Sequence, residues 1–343
     1  AVLATTPPSQ QIVETRSAAE LESQGKYFYS IAQFQQAVDS WQQAIKISDP
    51  QDSLSRARIM SNLALAQSQL SNWSEATDNI NASLRLLHND PSLSIDRKVR
   101  AIAQVLNNQG ILQLCQGEAE QAIATWKQAQ DSYQQVGDEL GVIRTLINQA
   151  SAFKQLGFYR RALKTLAEVE SILVEQPDSE IKIAGLRSYG DILLLVGEVK
   201  RSRKILESSL NIASGLDYVD EQSKILLLLG NTYKTHQPEK ALKLYQQGLE
   251  TCQQQPNCLQ TDLLLQIYLA QLNTSLATPN WQQSKSLIPQ IQAELARLPV
   301  NRANIDRRLN FAHSWLKLTQ HSKLNHSRIA DIEQFLVATI QQA

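Results

Sequence analysis

The stretch Asn107–Ala129, NNQGILQLCQGEAEQAIATWKQA, decides the fold. Gly110 sits inside a first apolar segment, and Gln116-Gly117-Glu118 then breaks the pattern as a turn. Ala122, Trp126 and Ala129 follow at offsets of 12, 16 and 19 from Gly110. Two antiparallel helices approach closely only where small residues sit at the crossing of their axes, and an aromatic ring fills the groove beside that crossing. The spacing therefore predicts a helical hairpin, with one small residue in helix A and a small–aromatic–small triplet in helix B.

The small residue of helix A serves as a mark that the whole chain repeats. It recurs at Gly25, Ala64, Gly110, Ala150, Gly190, Gly230, Ala270 and Ala312, with gaps of 39, 46, 40, 40, 40, 40 and 42. A period sustained over the whole chain is the signature of a repeat array. The triplet reads Ala37/Trp41/Ala44, Ala76/Ile80/Ser83, Ala122/Trp126/Ala129, Ala162/Leu166/Val169 and Ser202/Leu206/Ser209, each opening at an offset of 12. Gly230 to Ala241 is 11, which tightens the turn at His236-Gln237-Pro238. Ala270 to Ser284 is 14, and Asp331/Phe335/Ala338 is the best match for the eighth repeat, across a loop at His321–Ser327.

Stop signals follow the first seven helices B. Asp49-Pro50, Asp90-Pro91, Gln176-Pro177-Asp178, Gln255-Pro256-Asn257 and Leu298-Pro299 use proline, which lacks a donor and disfavours helix in the preceding residue. Gly137-Asp138 and Gly215-Leu216-Asp217 offer a left-handed C-cap. Pro289 falls inside the seventh helix B and predicts a kink or a helix that restarts there.

Bulk properties agree and exclude other classes. Lys+Arg and Asp+Glu balance at 33 each across 343 residues, so no global charge points to nucleic acid. Few Gly and Pro beside abundant Gln, Leu, Ala and Ser favour helices over sheet. Apolar runs such as Ile225–Gly230 are too short to span a bilayer. Cys115, Cys252 and Cys258 make an odd count with no metal-type spacing. Cys252 and Cys258 straddle Pro256-Asn257, a turn that could close a disulfide in an exported protein or leave two packing residues in a cytosolic one. Val2-Leu3-Ala4 fits the tail of a secretory signal as well as an arbitrary boundary, so the reading leaves open a cytoplasmic or an exported location. Residues 1–14 are expected to be a disordered lead-in, and 15–343 one solenoid, truncated at its C-terminal end.

These residues resemble a tetratricopeptide array, whose common unit is about 34 residues, shorter than the spacing seen here. The resemblance implies an all-α, right-handed solenoid of about eight hairpins that binds protein or peptide partners. A finer likeness rests on Ser286–Pro299, SLIPQIQAELARLP, on Asn301-Arg302-Ala303, and on Arg308–Leu318, RLNFAHSWLKL. With Gln24-Gly25, Asn108-Gln109-Gly110 and Asn148-Gln149-Ala150, these resemble arrays that precede a caspase-like CHAT domain in cyanobacterial proteins. That family's protease needs a catalytic His and Cys in an α/β domain, and no strand-rich segment supplies one; the effector would lie beyond Ala343.

His321 and His326 lie in the predicted loop without enough ligands for a metal, and no cofactor is expected. Trp41 and Trp126 occupy the helix B aromatic position, Trp73 and Trp281 the hairpin turns, and Trp315 is the one expected to face the groove. Arg160, Arg161 and Lys164, with Lys200, Arg201, Arg203 and Lys204, open consecutive helices B and predict a basic ridge, neutralised by Glu168, Glu198 and Glu207 or open to an anionic surface or nucleic acid. No aromatic interleaves them in sequence, which argues against single-stranded nucleic acid.

The concave groove is lined by helix A, at positions six and three before the mark and one, four and five after it. There Lys26, Arg58, Arg144, Lys154, Arg187, Lys224, Lys234 and Lys317 face only Glu22, Asp191 and Asp306, so the groove reads as net positive. Asn107, Asn231 and Gln271 add amides suited to a peptide backbone. Arg144, Arg187, Lys224, Asn231 and Lys234 are the expected partner-binding residues, acting by charge-assisted hydrogen bonds on an acidic segment. The expected function is thus a protein–protein scaffold or sensor array. Regulation of a CHAT-type protease and nucleic-acid binding through the ridge are the alternatives. No nucleophile–base pair, phosphate loop or carboxylate dyad argues for an enzyme.

Overall fold

The structure, a computed structural model, describes residues 16–253, 261–278, 281–297, 302–321, 331–332, 334–335 and 337, with the side chains of 261–262, 281, 302–306 and 320–321 outside the description. The lead-in at 1–14, Cys258, the stop signals at Pro256-Asn257 and Leu298-Pro299, the turn residues Pro279-Asn280, Ala338 and the 322–330 part of the predicted loop also lie outside it. Fifteen helices run through the described residues, with no strand among them. The chain divides into two compact units, Ala1–Gly117 and Glu118–Ala343.

The first unit holds α1 (Ala18–Ser30), α2 (Phe34–Ile47), α3 (Ser53–Gln69), α4 (Trp73–Asn89) and α5 (Ile95–Cys115). Here α1 pairs with α2 and α3 with α4, while α3 also lies against α5. The second unit holds α6 (Ala119–Gln135), α7 (Glu139–Gln155), α8 (Tyr159–Leu173), α9 (Glu180–Leu195), α10 (Val199–Gly215), α11 (Val219–Tyr233), α12 (Pro238–Gln253), α13 (Thr261–Ala277), α14 (Trp281–Arg297) and α15 (Arg302–His321). Its hairpins α7–α8, α9–α10, α11–α12 and α13–α14 stack so that α7, α9, α11, α13 and α15 succeed one another as neighbours. This is the all-α repeat that the spacing predicts.

The mark is where the hairpins close. A methyl group built on Gly25 would overlap the Trp41 indole, one on Gly190 the Leu206 side chain, and one on Gly230 the Tyr245 ring. Ser202 Oγ donates to the Gly190 carbonyl at 2.6 Å, and Ser83 and Ser209 Oγ donate to the Ala57 and Ile183 carbonyls at 3.0 Å. Serine therefore replaces alanine in the triplet because it fits the same space and its hydroxyl finds a carbonyl on helix A.

The turns repeat one hydrogen bond. The amide of Gln33, Asn72, Asp138, Phe158, Glu198 and Tyr218 each donates to the carbonyl five residues earlier, closing a Schellman cap. The residue before that amide has positive φ, and it is glycine at 137, 157 and 197. It is Ala32, Ser71 and Asp217 elsewhere, with φ of 57°, 62° and 57°. The left-handed residue of the α10–α11 turn is thus Asp217, whereas Gly215 ends α10. Asp138 and Ser179 cap α7 and α9 by accepting from Gly141 and Lys182 amides. Pro289 lies inside an uninterrupted α14, so no helix restarts there.

Two other expectations change, and one open alternative is resolved. Trp73 is the first residue of α4, half-buried against its hydrophobic cluster. Trp315 is mainly a packing residue, buried against Phe311 and Phe335 at ring distances of 5.4 and 6.4 Å, with its remaining edge on a cavity shared with Lys285 and Pro289. Cys252 is disulfide-bonded and Cys115 is free.

Crowding at the mark and strain at the turns set opposite expectations. Gly230→Ala should lower stability by about 1–3 kcal/mol through overpacking. Ala32→Gly and Ser71→Gly should each raise it by about 1 kcal/mol by relieving a left-handed residue. Urea unfolding midpoints for the three variants test both statements.

Candidate functional site

In the second unit the neighbouring helices α7, α9 and α11 carry a row of charges on their accessible face. Arg144 on α7 and Lys234 at the C-cap of α11 are exposed, and neither makes an ion pair among the described residues. Between them, Lys154 pairs with Asp191. Glu221 accepts from Arg187 Nε at 2.6 Å and from Lys224 Nζ at 2.9 Å. Asn231 Oδ1 accepts from the Tyr245 hydroxyl at 2.9 Å, and burial pushes that phenol up to about 12.

Arg187 and Lys224 therefore come together, as the repeat register requires, but around a carboxylate that the sequence reading passed over. Glu221 stands nine residues before its mark, outside the positions used to define the groove. Its spacing of three before Lys224 on one helix was the available signal. Burial works to raise its pKa, but Arg187 and Lys224 outweigh burial and hold it below the ordinary value. Asp220 beside it is raised by burial. The first unit repeats the device: Glu22, buried, accepts from Arg58 Nε and Nη2 at 2.8 Å each and pairs with Lys26 at 2.7 Å. Burial raises Glu22, while Arg58 and Lys26 bring it below its ordinary value.

The amides are mostly unavailable. Asn107 is buried, and Gln271 is 2% exposed with its Nε2 donating to Gln246. The cause at Gln271 is a register shift in α13. Ala270, chosen for its size, is half-buried, whereas Leu272 is fully buried. Counting from Leu272 restores the offset of 12 to Ser284 and turns Gln266, Leu269, Asn273, Leu276 and Ala277 to the partly or fully exposed face. The offset of 14 from Ala270 was the signal in the sequence. Lys317 on α15 is exposed, and the side chain of Asp306 lies outside the described residues.

The basic ridge is built differently from its sequence reading. Arg161 lies 5.2 Å from the Phe158 ring, Arg201 5.2 Å from Tyr189, and Arg203 3.8 Å from Tyr233, whose ring also lies 4.0 Å from Lys240. Arg203 Nη2 donates to the Thr232 carbonyl at 3.0 Å, and Arg201 to the Tyr189 hydroxyl. Aromatics do accompany the arginines, but Tyr189 and Tyr233 are buried and offer no open face to a base. Arg160, Lys164, Lys200 and Lys204 remain exposed. Among the described residues no group of three His, Cys, Asp or Glu could hold a metal, and no helix is long and apolar enough to cross a membrane.

The hairpins, their close crossings and their stacking define a tetratricopeptide-like repeat fold. Solved structures agree with that class. The apo form of RapI superposes with a TM-score of 0.60 at 11% identity, over 84% of this chain and 99% of that one. A Rap protein complexed with competence and sporulation factor gives 0.58 at 12%, over 94% and 99%. A signal transduction ATPase with a tetratricopeptide repeat sensor, from Pyrococcus horikoshii, gives 0.58 at 12%, over 82% of this chain and 42% of that one. At these identities the likeness is one of fold. No family model and no curated protein matches the sequence.

Glu221→Gln isolates the charged cluster. A carboxylate whose pKa falls on folding adds stability above its unfolded value near 4.5, and that stability is lost as pH falls through the lower folded value. The variant should be about 1–2 kcal/mol less stable at pH 7, as expected for a charge-assisted hydrogen bond on partly solvated cations. The gap should close as the pH is taken below that range, read from urea midpoints across pH.

Proposed function

We propose that this chain is a protein-interaction module, and that the α7–α9–α11 face holds a partner segment bearing carboxylates. The supporting observation is a surplus of positive charge on a face built from three neighbouring helices. Arg144, Lys154, Arg187, Lys224 and Lys234 stand against Asp191, Asp220 and Glu221. Arg187 gives only its Nε to Glu221, so its two terminal nitrogens keep donors for a ligand. Lys224 likewise has three donors and gives one to Glu221. Asn231, fixed by Tyr245, supplies its amide nitrogen about two helical turns further along α11. In this reading Glu221 holds the two cations in place, and the partner's carboxylates complete their coordination.

A second reading treats the chain as the sensor region of a larger protein with an effector domain. It draws on the fold likeness to an ATPase that carries a tetratricopeptide repeat sensor, and on the CHAT-like segments of the last third. The coding sequence after Ala343 separates the two readings, because an in-frame effector domain favours the second.

Reversing Arg187 and Lys224 would break the Glu221 cluster and confuse binding with folding. Arg144→Glu/Lys234→Glu touches no ion pair and is the cleaner probe. In pull-downs from the source organism, a partner retained by the parent chain should be retained at least tenfold less by this variant at unchanged helicity. Equal retention sinks the groove assignment.

A further inference from the structure

The basic ridge of the second unit belongs to the helices B, not to α7, α9 and α11, and lies at the edge where each helix A turns into its helix B. Arg160 and Lys164 open α8, Lys200 and Lys204 open α10, and Lys243 continues the row on α12. All five are exposed, and none makes an ion pair or a hydrogen bond among the described residues. The other cations are held in place by rings. Arg161 lies over Phe158 and Arg201 over Tyr189, while Arg203 and Lys240 share the Tyr233 ring at 3.8 and 4.0 Å. Two like charges on one ring repel each other, and a nearby anion relieves that repulsion.

The carboxylates do not cancel the row. Over α8, α10 and α12, with the N-cap residue Glu198, nine Lys and Arg stand against six Glu. Every one of those cations falls in the first two turns of its helix, whereas Glu168, Glu170, Glu207 and Glu250 come later. Only Glu198, 3.5 Å from Arg201, and Glu239 stand among the cations. The adjoining helices A add Lys154 and Asp191, which pair, and the exposed Lys234. On the preceding helix B, α6, Glu118 and Glu120 stand at the opening, so the ridge begins at α8. Cations in a first turn oppose the helix dipole, and neither α8 nor α10 has an acidic residue there. The distribution works against the helices themselves, and an external anion offsets it.

The same edge exposes apolar side chains. Phe158 and Tyr159 at the start of α8 are 45% and 40% exposed, and Leu195 at the end of α9 is 46% exposed. They stand at two neighbouring A–B turns, among the cations. A nucleic-acid backbone gains nothing from an exposed leucine, whereas the interface of a bilayer accepts aromatic and aliphatic side chains beside its headgroups.

We propose that this edge docks on the surface of a membrane containing anionic lipid. The cations meet the charged headgroups, and Phe158, Tyr159 and Leu195 enter the headgroup region. Charge attraction and apolar insertion together hold a peripheral protein where either alone is marginal. The surface stands independently of the α7–α9–α11 face.

The test sediments the full chain with vesicles of phosphatidylcholine alone, or of phosphatidylcholine and phosphatidylserine in equal parts. Association with the mixed vesicles should be at least tenfold tighter than with phosphatidylcholine, and should weaken as salt is raised. Arg160→Glu/Lys200→Glu should weaken it at least tenfold; acids at these first-turn positions favour the helices, and the melting midpoint checks the fold. Lys164→Gln/Lys204→Gln, one turn further on, should weaken it in the same direction. Tyr159→Ser/Leu195→Ser keeps the charge and should weaken it at least fivefold. Duplex DNA at equal phosphate concentration should be bound more weakly than the mixed vesicles. The proposal is overturned if the mixed vesicles bind no better than phosphatidylcholine, if both charge variants bind like the parent chain, or if Tyr159→Ser/Leu195→Ser retains full affinity. Tighter binding to the duplex would also overturn it and make the ridge a nucleic-acid surface.

Discussion

The close crossing of helix A and helix B is the constraint on which the rest depends. At Gly25, Gly190 and Gly230 there is no room for a methyl group, because a ring or branched side chain from helix B lies directly over the backbone. That contact fixes the rotation of helix A about its own axis, and with it the direction of every side chain on the accessible face. The buried rings also reach through to that face. Trp41 Nε1 donates to the Glu22 carbonyl at 3.1 Å, and the Tyr245 hydroxyl donates to Asn231. Core packing and the polar groups of the candidate sites are therefore joined at single residues.

Once the hairpins are fixed, neighbouring A helices need to be tied to one another. The structure does this with ion pairs that span about one repeat: Glu22 with Arg58, Lys154 with Asp191, and Arg187 with Glu221, at separations of 36, 37 and 34 residues. Burying a carboxylate costs more than a single exposed partner returns. Glu22 and Glu221 are each met by two cations, which is the arrangement that keeps them ionised. Much of the charge on the accessible face is consequently structural.

The hairpins were legible in the sequence because the steric demand at the crossing has a fixed spacing. At α13 residue size and the offset to helix B point to different marks: Ala270 would place Gln271 at the surface, whereas Leu272, at the offset of 12 from Ser284, places it in the interior where it lies. Turn positions were legible where glycine marks them and missed at Ala32 and Ser71, which carry the same left-handed conformation without the glycine signal. The ion pairs were not legible. Glu221 meets Arg187 only because α9 and α11 lie side by side, and no periodicity within one repeat reports what the next repeat places opposite. The stacking of Arg201 on Tyr189 and Arg203 on Tyr233 escaped for the same reason: the aromatic and the cation come from different helices.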